Sequence, residues 1–368
     1  MTRMIVKHSQ SLCRVLGVAS ETHKALDLSK VLTQFTTEAF CELAFGLEMD
    51  YLTSEREHPL QQALDGAQRA VTFRLFAPVW LWKVQRALGL GLEGQLRKHL
   101  NTLDGIVLEL ITHSIEYHAA LDKSASNTRT DLISLFLSQA AKDATVDGAE
   151  QLDDMLTPES LKDMAMQFLL AGRETTAQTL SWFFLLLSQH PEVEAKLRDE
   201  LSQRLTSTDD SEEISIADLQ QCVYLEAALK ETVRLYPSAP ITARDAAEDT
   251  TLSDGTFIPK GVRVGLPGYA MARLTSVWGD DAAQFNPGRW IDATTGKMVP
   301  VSSFKFVSFH AGPRMCIGMN LAMLEMKIAS AHILRRFRVQ VVPGQTISYD
   351  MSITLPMNAP LMVQLAKI

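Results

Sequence analysis

The sequence predicts a mainly α-helical fold with small β-sheets. Three observations carry this. Apolar residues recur at helical spacing through most of residues 1–236. One of these patterns, from Pro158 to His190, is longer than most helices of globular proteins. Beyond residue 237 the pattern breaks into short strand-like runs and turns, with one further helix before a β-like tail. A single domain over 1–368 is expected, with a helical core at about 1–236. A meander, a cysteine-bearing loop and a C-terminal β region follow at about 237–368.

Residues 27–46 give the first clear helix, with Asp27 as N-cap and Gly46 as the C-terminal stop. Residues 59–90 hold a helical run and the aromatic segment from Phe73 to Trp82. A long amphipathic pattern runs from Glu93 to Leu121. A polar linker, 122–130, precedes a helix over about 131–143 and an acidic loop through Asp154. Thr157-Pro158-Glu159 combines an N-cap, a proline at the first helical position and an acid in the first turn. Pro191 stops that helix, because it has no N–H and clashes with the preceding turn, and it opens another over 191–205. After a polar loop, 206–214, residues 217–235 are helical and end before Pro237. Short strands fill 239–270, with turns at Asp254-Gly255 and Pro259-Lys260-Gly261. The last helix covers about Ile317 to Phe337, and the tail, 338–368, turns at Pro356 and Pro360.

Hydrophobic residues make up 46% and charged residues 21%, as in an ordinary globular protein. The net charge of −8 argues against nucleic-acid binding. Cys13, Cys41, Cys222 and Cys316 lie far apart with no C-x-x-C pair. That pattern favours neither zinc nor a disulfide framework and suits a reducing compartment. HExxH, Walker A and GxGxxG motifs are absent. Residues 1–20 have no apolar h-region or cleavage site, and no stretch of about 20 residues is apolar enough to span a bilayer.

The most informative segment is Phe309-His310-Ala311-Gly312-Pro313-Arg314-Met315-Cys316-Ile317-Gly318. It fits Phe-x-x-Gly-x-Arg-x-Cys-x-Gly, which average residue frequencies would produce on the order of once in ten thousand chains. The residue types suit a thiolate under a haem iron, a soft ligand that favours O–O cleavage. Gly312 and Gly318 let the backbone turn tightly near the sulfur. Arg314 suits a haem propionate, and Phe309 covers the site on the protein side. The alternative is a buried structural cysteine in a Gly-rich loop.

Two further motifs belong with it. Glu231-Thr232-Val233-Arg234 puts a carboxylate and a guanidinium one turn apart on an apolar helix, so the pair is expected to be partly buried. Arg289, in Phe285-Asn286-Pro287-Gly288-Arg289-Trp290, is the expected third member. Ala171-Gly172-Arg173-Glu174-Thr175-Thr176 lies mid-helix, where Gly costs about 1 kcal/mol and Thr is a poor helix former. Gly172 would let a flat cofactor approach the backbone. Thr175 would bond back to a carbonyl and open a polar notch. Glu174 would supply protons for O–O cleavage. The alternative is a Thr-rich helix with a surface Arg-Glu pair.

Together these segments resemble the cytochrome P450 family of haem-thiolate monooxygenases over nearly the whole chain. The wording AGRETTA, KETVRLYP, YAMAR and FHAGPRMCIG is similar to the eukaryotic fatty-acid ω-hydroxylase branch. The resemblance implies a haem b ligated by Cys316 at its iron. Glu174 and Thr175 would relay protons to O₂, with Ala171 and Gly172 on the distal face. Arg314 and Arg244 would hold propionates, and Glu231, Arg234 and Arg289 would be structural. It implies electrons from NADPH through a flavin-containing reductase. A basic patch of Lys305, Lys327, Arg335 and Arg336 is the expected docking face, and plain solvated surface is the alternative for these residues. The resemblance also implies a fatty acid or related apolar substrate, and a place on the cytosolic face of the endoplasmic reticulum membrane.

Residues expected to shape substrate choice are Met164, Phe168 and Leu169, then Ser238, Ala239, Ile241 and Thr242, then Ile353, Leu355 and Pro356, with Phe73 to Trp82 as a roof. Plain hydrophobic core is the alternative for each. Ala272 stands where the branch usually has Gly. The family's anchor, first β-sheet and propionate-binding Trp/Arg helix have no counterpart, so the expected fold is an N-terminally incomplete P450. Two other readings remain: a haem-poor pseudoenzyme or fragment, and a haem-thiolate isomerase or dehydratase. The Glu174-Thr175 pair disfavours the latter, which has no use for an O–O proton relay.

Overall fold

A computed structural model describes residues 1–54, 58–121, 131–136, 158–205, 214–350 and 352–368. The linker at 122–130, the acidic loop, the Thr157 cap and most of the 206–214 loop lie outside the described residues. So does the second half of the helix expected at 131–143; residues 132–136 are helical. The chain forms two compact units.

The first unit comprises Met1–Ala177, Ile328–Gln345 and Pro360–Ile368. It opens with helix α1 (Thr2–Thr22), an element the sequence reading does not assign. Ile5, Leu12 and Leu16 bury one face of it. Strand β1 (Leu26–Asp27) leads into α2 (Leu28–Phe45). Asp27 caps α2 as expected: its carboxylate accepts the N–H groups of Ser29 (3.0 Å) and Lys30 (3.3 Å). Gly46, at φ 72°, ends it in the left-handed conformation that glycine adopts without strain. Helices α3 (Pro59–Phe76), α4 (Val79–Leu88) and α5 (Gly91–Leu121) follow. The core joins Phe40, Cys41 and Phe45 of α2 to Leu64, Leu103 and Leu169. Strands β6 (Phe337–Val341) and β7 (Met362–Lys367) complete an antiparallel sheet of order β1-β7-β6.

The second unit comprises Gln178–Lys327 and Thr346–Ala359. Helix α6 (Pro158–Gln189) contributes its C-terminal part here. Trp182 on that part stacks on Tyr236 at 4.1 Å and donates its indole N–H to the Leu355 carbonyl at 3.0 Å. Helix α7 (Pro191–Arg204) begins at Pro191 as expected. The helix expected over 217–235 is instead two, α8 (Ile216–Gln220) and α9 (Val223–Leu235). The Glu200 carboxylate on α7 accepts the N–H groups of Tyr224 (2.7 Å) and Leu225 (2.9 Å). It thereby satisfies donors that any helix start leaves open, so a new helix begins there.

Beyond α9, β2 (Thr242–Asp245) pairs with β5 (Arg263–Leu266), and β3 (Thr250–Thr251) with β4 (Phe257–Ile258). The region expected to hold only strands and turns also has a helical turn, Gly268–Met271. The helix expected after the cysteine loop, α10, runs Met319–Arg336, within two residues of its expected ends, and contributes residues to both units. Among the described residues no helix is long and apolar enough to cross a membrane.

Candidate functional site

In the second unit, Glu231 is the hub of a buried polar network. Glu231 and Arg234 are both fully buried. Arg234 Nε and Nη2 donate to the two Glu231 oxygens at 2.7 and 2.8 Å, one turn apart on α9. Arg289 Nε donates to Oε1 at 2.8 Å. The Trp290 indole N–H reaches Oε2 at 2.9 Å, and the Asn286 backbone N–H reaches Oε1 at 3.0 Å. Arg234 also donates to the carbonyls of Ala272, Ala282 and Gln284. Burial would lower the Arg289 pKa, but its hydrogen bond to Glu231 and the nearby Asp281 raise it above its ordinary value.

The network continues into the cysteine loop. Trp290 packs edge-on against Phe306 (4.9 Å), and Phe306 against Phe309 (5.9 Å). The Phe309 carbonyl accepts the Cys316 N–H at 2.8 Å. Ser308 Oγ donates to the Val233 carbonyl of α9 at 3.0 Å. Gly312 sits at φ 63°, so the turn requires glycine there for its backbone. Gly318 differs from expectation. A Cβ on it would lie 3.9 Å from Cys316 Sγ, an ordinary contact, so the sulfur does not by itself demand glycine. His310 is held at φ 63°, ψ −177°, and its Nδ1 accepts the Ala311 N–H at 2.8 Å.

Cys316 is a free, exposed thiol, whereas Cys13, Cys41 and Cys222 are buried. Burial pushes the Cys41 thiol up to about 12 and the Cys222 thiol up to about 11, which keeps both inert. Arg314 is exposed, with no hydrogen bond or ion pair among the described residues. Arg244 lies on β2, also exposed, its Nη1 on the adjacent Ala243 carbonyl.

In the first unit, the Ala171–Thr175 segment of α6 is held from two sides. Thr175 Oγ1 donates back to the Ala171 carbonyl at 2.7 Å. Thr36 Oγ1 on α2 donates to the Arg173 carbonyl, also at 2.7 Å. From α3, Asp65 pairs with Arg173 at 2.5 Å, and the Gln68 amide donates to Glu174 at 2.9 Å. Gly172 has a packing reason that the sequence does not show. A Cβ there would fall 2.3 Å from the Phe40 ring, so packing against α2 accounts for the glycine. Thr36, Phe40 and Gln68 carry no local sequence signal, because each acts through the fold on a distant helix.

Other expected residues separate. Leu169 and Leu355 are buried core residues, while Ile241 and Ile353 are exposed, and Met164 and Phe168 are half-buried. Ser238 Oγ lies 3.2 Å from Thr179 Oγ1, its carbonyl accepts the Leu355 N–H, and Thr242 pairs with Leu266. Ala239 lies in a bend after α9, and the Pro356 carbonyl accepts the Asp350 N–H at 2.8 Å. Within the Phe73–Trp82 segment, Leu75, Phe76, Val79 and Trp80 are exposed. The expected basic patch is corrected at one position. Lys327 is buried and paired with Glu226, so it is not a surface cation. Lys305 lies over the Trp278 ring at 4.7 Å, and Arg336 contacts His332 Nδ1 at 3.0 Å; Arg335 is half-buried.

A protein-family model described as cytochrome P450 matches residues 1–361. The chain belongs to the cytochrome P450 family. This P450 is 32% identical over 364 residues to cytochrome P450 86B1 of Arabidopsis thaliana, covering 96% of this chain and 63% of that protein. It is 34% identical over 369 residues to cytochrome P450 94A2 of Vicia sativa, covering 98% of this chain and 68% of that protein. It is 32% identical over 365 residues to the alkane hydroxylase MAH1 of Arabidopsis thaliana, covering 98% and 69%. The chain thus spans about two thirds of the length of these curated relatives. The crystal structure of a cytochrome P450 (CYP102L1) superposes with a TM-score of 0.81 at 23% identity, covering 99% of this chain and 77% of that one, which shows the fold.

The cysteine loop of this P450 fits a haem. The one exposed cysteine is flanked in sequence by exposed apolar residues, Met315 (47%) and Ile317 (86%), and Arg314, two residues before it, is exposed as well. A soft ligand, apolar surface and a nearby cation match iron, a flat macrocycle and a propionate respectively.

Proposed function

We propose that this P450 is a monooxygenase that hydroxylates an apolar substrate, a fatty acid or related long-chain lipid. The balance is RH + O₂ + NADPH + H⁺ → ROH + H₂O + NADP⁺. The observation that carries the reading is Cys316: a free, exposed thiol on a loop braced by Glu231, in a chain whose other cysteines are buried. A thiolate-ligated haem supplies the reductive activation of O₂. Cys316 would provide the thiolate, and Arg314 and Arg244 would pair with propionates. Glu174 and Thr175 would hold and pass the protons that O₂ reduction consumes. The fatty-acid reading rests on the similarity of AGRETTA and FHAGPRMCIG to the ω-hydroxylase branch, and on an alkane hydroxylase among the relatives.

Electrons would come from NADPH through a flavin reductase, and the place of action would be the cytosolic face of the endoplasmic reticulum membrane. Cell fractionation tests the latter. The reaction is tested with haem-loaded protein, a flavin reductase and NADPH, offered fatty acids and n-alkanes in turn. A thiolate-type Soret band in the reduced-CO difference spectrum and hydroxylated product are expected, and Cys316→Ala should lose both. Haem-loaded protein without that band would overturn the proposal. Thr175→Ala should keep the band and divert NADPH to peroxide, by O₂ + NADPH + H⁺ → H₂O₂ + NADP⁺. Unchanged coupling in that variant would remove Thr175 from the proton path.

A further inference from the structure

We infer that Gln68 is a positioning residue for Glu174, holding the acid in place while leaving it free to gain and lose a proton. The inference rests on the reading that Glu174 and Thr175 handle protons. Asp65 and Gln68 lie three residues apart, on one face of α3. They meet consecutive residues of α6: Asp65 takes the Arg173 guanidinium at 2.5 Å, and the Gln68 amide donates to Glu174 Oε1 at 2.9 Å.

Positioning from outside matters at this point of α6. The Thr175 and Thr36 hydroxyls both donate to its backbone carbonyls, at Ala171 and Arg173. Side-chain donors on these carbonyls compete with the helical ladder and loosen it. The acid therefore sits on a weakened turn, and α3 supplies a tether.

The chemistry of that tether is the second argument. An amide N–H donates to a carboxylate oxygen and, more weakly, to the carbonyl oxygen of the protonated acid. Glu174 can change protonation state without losing its anchor. A lysine or arginine in the same place would favour the ionised form. The guanidinium next to it in sequence, Arg173, is engaged by Asp65. A neutral donor at 68 and a neutralised cation at 173 together suit an acid that must cycle.

The test compares Gln68→Leu, close to glutamine in size but with no donor, and Gln68→Arg, a donor with charge, against Glu174→Gln. Infrared spectroscopy across pH follows the carboxyl band that Glu174→Gln removes, and it needs no turnover. The Gln68→Leu variant should raise the midpoint of that band, since the ionised form loses a hydrogen bond. The Gln68→Arg variant should lower it by about one pH unit or more. In haem-loaded protein both should reduce product per NADPH about threefold or more, a loss of about 0.7 kcal/mol in partitioning, with the reduced-CO spectrum unchanged. If Glu174→Gln uncouples while both Gln68 variants leave midpoint and coupling unchanged, the role of Gln68 is overturned and the proton reading stands. If Glu174→Gln leaves coupling intact, the proton reading falls and the positioning role with it.

Discussion

Replacing Glu231 with alanine should cost this protein about 3–5 kcal/mol, the range for removing one partner of a buried ion pair. The structure shows where the loss arises. Glu231 accepts from Arg234 twice, and once each from Arg289, Trp290 and the Asn286 backbone. Arg289 keeps a second carboxylate, Asp281, at 3.0 Å, so its charge stays paired. Arg234 is fully buried and would keep only backbone carbonyls. The Trp290 indole N–H, also buried, would be left without an acceptor, which by itself costs about 1–3 kcal/mol. Total stabilities of about 5–15 kcal/mol make this a large fraction. Trp290 leads through Phe306 and Phe309 to the Cys316 loop, so haem retention should fall with stability. Denaturant unfolding and haem content of purified protein measure both. Glu231→Gln keeps the shape and one acceptor oxygen and should fall between wild type and alanine. A Glu231→Ala variant that folds within about 1 kcal/mol of wild type and keeps its haem would refute the reasoning.

Gly172→Ala should destabilise by about 1–3 kcal/mol, because its Cβ meets the Phe40 ring, and Phe40→Leu should remove much of that penalty; additive effects would show that the two do not touch. At His310 the backbone lies in a region other residues rarely adopt, so His310→Gly should be more stable than His310→Ala by about 1–3 kcal/mol in thermal unfolding, and equal melting would argue against strain. His8 is buried between Glu38 and Glu42, 3.5 and 2.5 Å away. Burial opposes its charge, but the two carboxylates, Glu42 hydrogen-bonded to Nε2 and Glu38 facing Nδ1, win and raise its pKa from 6.5 to about 9. Its stabilisation is therefore complete below about pH 6.5 and is lost as pH rises through about 9. The decline in unfolding midpoint over that window should be shallower in His8→Gln, and an unchanged slope would exclude His8 as its source.

Features set by neighbours in sequence were legible in the chain. Asp27 and Gly46 bound α2 because a cap and a left-handed stop depend on the backbone within a turn. Thr175 bonds back to Ala171 because residues four apart stack on one helical face. The Phe-x-x-Gly-x-Arg-x-Cys-x-Gly loop was legible because its residues act on one another's backbone. Partners supplied from elsewhere were not. Arg289 could be guessed as a third member of the Glu231 network, but the Trp290 and Asn286 bonds to it could not. The break at Gln221 and Cys222 follows from Glu200 on another helix, Gly172 answers to Phe40, and Lys327 is withdrawn from the surface by Glu226. Helical and turn preferences are local energies, written in adjacent residues. Burial, ion pairing and close packing are set by which segments meet, and only the folded chain decides that.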